Sequence, residues 1–286
     1  MAPKAERSAK GPVNTTGPVA TPLPTSFDPK PSARQALRIL LAALAFTGFG
    51  VGGAILSWIL LPIASCDWNR VRRQRRCQRL VQATFVFFHD YMRVIGLVDF
   101  DPRRAPAALP EGACMLVTNH PTLIDVTALI ASYGELCVVA KSSLFRNPLL
   151  GVLLRLCGHI ESNKADFGAP SGVVAQAVER LQQGHRVLMF PEGSRSPEAG
   201  LRRFHAGAFT TAAQANVPII PGVIRAEPPG LKKGQAWYDI PTRPIVWSLT
   251  LLPPLEADPS ASTREIMSLT RSQIEEALLR EITPAR

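Results

Sequence analysis

The stretch "VTNHPTLIDVTALI", Val117 to Ile130, sets His120 and Asp125 five positions apart between two apolar runs. On an unbroken helix five residues rotate by about 140°, and the two side chains would face apart. Pro121 changes that. A residue before proline is pushed from the α region toward extended backbone, so His120 belongs to the end of the strand "ACMLVT". Pro121 suits the first position of a helix, where its missing N–H costs nothing, and a helix from Pro121 to Tyr133 is predicted. Asp125 then sits about one turn into it and leans back toward the imidazole. Strand, corner and helix in that order make this an α/β fold.

The same alternation continues outward. "LCVVA", "RVLMF", "VPIIPGVI" and "PIVWSLTLL" read as strands, mostly buried on both faces. Between them Asn147 to Leu156, Gly172 to Gln183 and His205 to Ala215 read as helices, with Gly134 and Gly184 placed as helix-ending glycines. A layered α/β domain over residues 99–258 follows. Residues 259–286 hold a closing amphipathic helix, with Ile266, Leu269, Ile274, Leu278 and Leu279 as its apolar positions.

Upstream the composition shifts twice. Residues 1–35 are rich in Pro, Ala, Ser, Thr and Lys, which is expected of a disordered tail. From Ile39 to Cys66 there is no charge for 28 residues. As a helix that run exceeds the roughly 30 Å hydrocarbon core, and it is too long for the apolar region of a signal peptide. Residues 36–66 are therefore expected to be a membrane segment. "GFGVGG", Gly48 to Gly53, matches a dinucleotide fingerprint in letters only, since no strand precedes it. Its glycines serve either close helix packing or a bend that would make the segment re-entrant.

The net charge of +10 is concentrated in "RVRRQRRCQR", six arginines from Arg70 to Arg79 directly after the apolar run. Beside a membrane such a cluster attracts anionic headgroups and places the following chain in the cytoplasm. A nucleic-acid partner is not expected, because a membrane run precedes the cluster. "LVQATFVFFHDYMRVIGL" then collects His89, Asp90 and Arg93 on one side of an amphipathic helix, so residues 67–98 either lie at the interface or pack on the α/β domain. Five scattered cysteines without a CxxC pair suit reduced thiols and give no metal site.

A carboxylate that accepts from one imidazole nitrogen leaves the other free as a base, able to deprotonate a hydroxyl or amine attacking an acyl carbonyl. A second constellation, "LMFPEGSRS", runs a buried strand into a polar loop. Backbone N–H groups near Gly193, the hydroxyls of Ser194 and Ser196, and the guanidinium of Arg195 would cradle an oxyanion or phosphate, and Glu192 would bond an acceptor hydroxyl.

"NHPTLID", "FPEGSRS" and "VPIIPGVI", with "VVAKSSLFRNPLLG" between the first two, resemble in order and spacing the blocks of the glycerolipid acyltransferase family. The resemblance covers about residues 113–225. It implies a mixed, largely parallel sheet flanked by helices, and transfer of a fatty acyl group from acyl-CoA or acyl carrier protein to a lysolipid. It makes His120 the general base, Asp125 its orienting partner, and Glu192, Gly193, Ser194 and Arg195 the acceptor site. No metal, cofactor or covalent acyl-enzyme is implied. Phosphatidic acid is the default product, at the cytoplasmic face of the cell inner membrane. Two departures bear on the acceptor. Asn163 or Lys164 stands near the second block's usual arginine, and His205 and Ala206 stand where a lysine is common. An ornithine or aryl-polyene lysolipid is thus the alternative acceptor, and a non-catalytic lipid-binding protein the alternative class.

Overall fold

The structure, a computed structural model, describes residues 32–104, 108–163, 172–256 and 261–280. The tail expected over residues 1–35 lies outside it up to residue 31, as does Lys164 of the second block.

Seven strands, β1 (Val98–Asp99), β2 (Met115–Thr118), β3 (Leu136–Lys141), β4 (Ile160–Ser162), β5 (Arg186–Met189), β6 (Ile219–Glu227) and β7 (Ile245–Leu251), form one sheet in the order β1-β7-β6-β2-β5-β3-β4. The run from β6 to β4 is parallel throughout, and among the described strands β6 and β7 alone pair antiparallel. The sheet is mixed and largely parallel, as expected. β2 lies at its centre with all four residues buried.

Period-two alternation sends neighbouring residues of each strand into two separate cores. Leu116, Leu136, Leu188 and Ile220 face one, with Val81, Phe85 and Leu129 from α3 (Arg70–Val94) and α4 (Asp125–Tyr133). Met115, Cys137, Val187 and Ile219 face the other. That side is covered by α7 (Val173–Gln182), α8 (Gly207–Ala215) and α9 (Thr263–Leu279). Ser262 and Glu265 form a capping box at the start of α9, whose Ile274 is fully buried while Leu269 and Leu279 stay exposed. Gly134 ends α4 at φ +71°, and a Cβ there would meet Gln82 at 2.7 Å.

Three sequence expectations are corrected. β1 and β4 are strands that were not foreseen, because two or three residues carry no readable alternation. β7 is not buried on both faces: Ile245, Trp247 and Leu249 point inward, while Val246 is exposed. An antiparallel strand can leave one face to solvent, and this one does. Finally, His89 does not share a polar side with Asp90 and Arg93 but is buried against the domain.

The apolar segment is a helical rod, Ala33–Ala64, made of α1 (Ala33–Ile55), a π-helical turn (Leu56–Leu60) and α2 (Leu61–Ala64). It is long and apolar enough to cross a membrane. Helical backbone continues through Gly48, Gly50, Gly52 and Gly53. Gly53 lets Leu149 approach, while Ser57 Oγ and Trp58 Nε1 donate to the carbonyls of Leu149 and Pro148. At its other end Arg38 donates to the carbonyls of Pro241 at 2.9 Å and Gly96 at 3.0 Å. The chain reverses after Ala64 and returns as α3, so rod and α3 form a hairpin laid along the domain. Leu37, Leu40, Leu44, Val51, Ile63 and Trp58 are exposed along it. Of the two placements open for the amphipathic segment, α3 takes packing on the domain, through Cys77, Val81, Phe85 and Met92.

Beyond β2, Asn119 continues the sheet with its side chain. Its amide donates to Ile224 O at 2.9 Å and accepts from Ile224 N at 2.7 Å, and the residue is buried. This clasp fixes where β2 releases the chain, one residue before His120. Asn119→Ala leaves two buried backbone groups without partners and is expected to destabilise the protein by about 2–3 kcal/mol. Urea unfolding would show it as a lower midpoint at unchanged slope.

Candidate active site

His120 stands just past the C-terminal end of β2, and its side chain is 18% exposed. The helix does not begin at Pro121 as predicted. Residues 122–124 form a turn, and Asp125 is the first residue of α4. The correction tightens the corner. From this position Asp125 folds back over its own turn, its Oδ2 accepting from Thr122 N at 2.7 Å and from His120 Nδ1 at 2.7 Å. Oδ1 accepts from Thr122 Oγ1 and from Trp247 Nε1, the latter at 2.9 Å. The carboxylate is completely buried.

The arrangement settles the imidazole's tautomer. A carboxylate wrapped by N–H and O–H donors accepts only, so Nδ1 carries the proton and Nε2 keeps its lone pair. Phe190, at the end of β5, stacks on the ring at 4.2 Å between centroids and holds its plane. Two other buried histidines do not compete for protons. Burial pushes both His89 and His159 down to about 4. His89 Nε2 lies 3.1 Å from Thr127 Oγ1, and His159 Nδ1 accepts from Val138 N at 3.0 Å.

The "FPEGSRS" loop meets His120 as expected, but its residues divide the work differently. Glu192 is buried, with Oε1 2.5 Å from Ser196 Oγ and 3.3 Å from His120 N, and Oε2 2.8 Å from Arg202 N. It is a brace inside the loop, not an open ligand for an acceptor hydroxyl. Ser196 belongs to the same brace: its N–H donates to His120 O at 2.7 Å and its Oγ accepts from His120 N at 3.0 Å. Nor is the Gly193 N–H free, since it donates to Phe190 O at 3.1 Å. Gly193 itself is needed for its φ of +62°, and a Cβ there would press on the His205 ring at 3.3 Å.

Ser194 and Arg195 are what the loop presents outward. Ser194 Oγ lies 3.2 Å from Lys233 Nζ, and Arg195 donates one N–H to Leu231 O at 2.9 Å, with nitrogens to spare. Lys232, Lys233 and Arg202 line the polar cleft beside Ser196. On the other side Leu123 and Ile124 form a wall of an apolar crevice with Ala42, Phe46, Phe88 and Met92. Sequence reasoning missed Thr122, Phe190, Lys233 and Trp247. Thr122 and Phe190 sit inside the quoted motifs and were legible as neighbours, whereas Lys233 and Trp247 carry no local signal. Among the described residues, no group of three His, Cys, Asp or Glu side chains is placed to hold a metal.

A histidine paired with a buried carboxylate thus stands past the end of a central parallel strand of an α/β domain, between an apolar crevice and a polar cleft. The family model described as Acyltransferase matches residues 70–225, and the chain belongs to that family. It is 35% identical over 125 residues to 1-acyl-sn-glycerol-3-phosphate acyltransferase beta of Homo sapiens, covering 43% of this chain and 44% of that protein. With 1-acyl-sn-glycerol-3-phosphate acyltransferase of Escherichia coli (strain K12) it shares 34% identity over 139 residues, 47% of this chain and 57% of the relative. The chain thus spans about half the length of these relatives. The crystal structure of the 1-acyl-sn-glycerophosphate (LPA) acyltransferase PlsC from Thermotoga maritima superposes with a TM-score of 0.66 at 18% identity, over 86% of this chain and 99% of that one. That likeness is one of fold.

Glu192→Gln tests the brace. The amide must turn its NH₂ toward Arg202 N–H or toward the His120 and Ser196 donors, at a cost of about 1–3 kcal/mol. Turnover is expected to fall while the acceptor KM changes little. A rise in acceptor KM alone would return Glu192 to the role of an acceptor ligand.

Proposed function

We propose that the protein is a membrane-bound acyltransferase that moves a fatty acyl group from acyl-CoA or acyl carrier protein to the free hydroxyl of 1-acylglycerol 3-phosphate, giving phosphatidic acid. The observation that carries this reading is the free Nε2 of an imidazole whose other nitrogen is tied to buried Asp125. The names of the relatives support the choice of acceptor.

In this mechanism the acceptor hydroxyl gives its proton to His120 Nε2 as its oxygen attacks the thioester carbonyl. Asp125 stabilises the imidazolium that forms. As the tetrahedral intermediate collapses, the carbon–sulfur bond breaks and the thiolate takes the proton back from Nε2. The base leaves the cycle as it entered, and no cofactor is required beyond the thioester. Ser194, Arg195 and Lys233 receive the acceptor's phosphate, with the guanidinium supplying paired donors. Lys233 supplies a cation that His205 and Ala206 do not. The apolar crevice beside Leu123 takes an acyl chain.

The rod is the membrane element. Because the domain holds both its ends through backbone carbonyls, the rod lies with the domain against one side of the bilayer, its exposed leucines and Trp58 toward lipid. The arginines of α3 then face anionic headgroups, and the site opens at the cytoplasmic face of the cell inner membrane.

Two variants test this. His120→Ala is expected to lower turnover by about 100-fold or more while leaving lipid binding intact. Unchanged transfer would remove His120 from the chemistry, and a wild-type protein that binds lipid without turnover would make the fold a lipid-binding one. Lys233→Ala is expected to raise the KM for 1-acylglycerol 3-phosphate about 3–10-fold, with the donor KM unchanged. If cellular lipid mass spectrometry showed loss of an ornithine or aryl-polyene lipid with phosphatidic acid intact, the acceptor would be that lipid instead.

A further inference from the structure

Trp247 lies 122 residues after Asp125 in sequence, on β7, yet its indole N–H donates to Asp125 Oδ1 at 2.9 Å. The residue is 3% exposed and lines neither the apolar crevice nor the polar cleft. At that burial the indole has no open face to offer a substrate. What it touches is the oxygen of the carboxylate that does not face the imidazole.

That contact has a chemical consequence. An Asp125 carboxylate held only through Oδ2 and its own turn can rotate, or present its more basic lone pair to the shared proton. A fourth donor on Oδ1 closes the set: Thr122 N and Oγ1, His120 Nδ1 and Trp247 Nε1 saturate the group. A carboxylate whose lone pairs are all met by donors acts only as an acceptor, so the shared hydrogen belongs to Nδ1 and Nε2 faces away from it. The indole is itself wedged. Phe100 meets it edge-on at 4.5 Å, and His89 meets Phe100 at 5.0 Å. We propose that Trp247 is a positioning residue of the acyl-transfer reaction, fixing the orientation and basicity of Asp125 and through it those of His120. The inference rests on the reading of His120 as the general base.

The titratable and charged neighbours of the dyad are few. Glu192 lies under the His120 backbone, Arg195 and Arg202 are on the loop, and His89 stands behind Phe100, already neutral. None of them touches Oδ1 among the described hydrogen bonds, so removing the indole N–H changes that oxygen alone.

Trp247→Phe keeps a ring against Phe100 and deletes the donor. Its kcat is expected to fall about tenfold, the loss of one hydrogen bond to a charged group, with both KM values unchanged. A less solvated carboxylate binds the imidazolium more tightly, so the base becomes harder to deprotonate. The acid limb of the kcat–pH profile is then expected to move to higher pH. A merely structural role would lower the melting temperature or active fraction without moving that limb, and would overturn the proposal. Should Trp247→Phe fail to fold, site-specific replacement of the indole by its benzothiophene isostere removes the N–H at constant shape and reads the same limb. An unmoved limb with unchanged kcat in either variant overturns the role of Trp247. Absence of transfer by the wild-type protein overturns the function itself, and the two failures are distinct.

Discussion

A buried carboxylate organises this protein. Asp125 has no exposed surface, and an ionised group in that position is tolerable only if every lone pair is met. The donors come from three places: the corner's own turn, the imidazole of His120, and a tryptophan two strands along the sheet. Each imposes a demand on the fold. The turn at residues 122–124 must separate β2 from α4, and His120 must leave the strand extended. β7 must come back alongside β6 in the opposite direction, with Trp247 on its inward face. The antiparallel pairing of β6 and β7 is thus the feature that completes the donor set around Asp125.

The same logic explains what could be read from the sequence and what could not. His120, Pro121 and Asp125 are neighbours in the chain, and proline's restriction of the residue before it is a local rule, so their geometry was legible. Even there the helix start was misplaced, because Thr122 N–H and Oγ1 find a better partner in Asp125 than in a first helical turn. The long buried strands were legible from composition. β1 and β4 were not, since two or three residues take their pairing from neighbours and not from their own pattern. Glu192 was legible as a carboxylate in a polar loop, but sequence does not show which way it points, here into the loop toward Ser196 and Arg202. Trp247 was invisible because an indole in an apolar strand reads as core, and only the fold brings its N–H to Asp125.

An aromatic series extends the consequences of that contact outward. Phe49 of α1 packs on Phe88, Phe88 on His89, His89 on Phe100, and Phe100 on Trp247, with centroids 4.5–5.8 Å apart. Rings packed this way form a continuous interior without polar gaps, apart from His89, which burial keeps neutral. The apolar rod is accordingly not an appendage. Its Ala42 and Ala45 are buried in the same core as Leu116 and Trp247, so the most apolar helix and the strand that leads to His120 share a single packing unit.

An amphiphilic substrate asks a protein to handle an apolar chain and a charged head within a few ångströms, without mixing their environments. Here the carbonyl of Leu231 separates them. It accepts from Leu123 N at 3.1 Å, on the wall of the apolar crevice, and from Arg195 at 2.9 Å, on the cationic loop. Leu231 holds φ at +56°, a left-handed conformation that a leucine adopts at a cost. The cost is offset by satisfying both donors with one acceptor, so the chain-binding and head-binding sides cannot drift apart. His120 stands three residues before Leu123 and is stitched to the loop through Ser196. His120 is thereby held at the boundary between the apolar crevice and the polar loop.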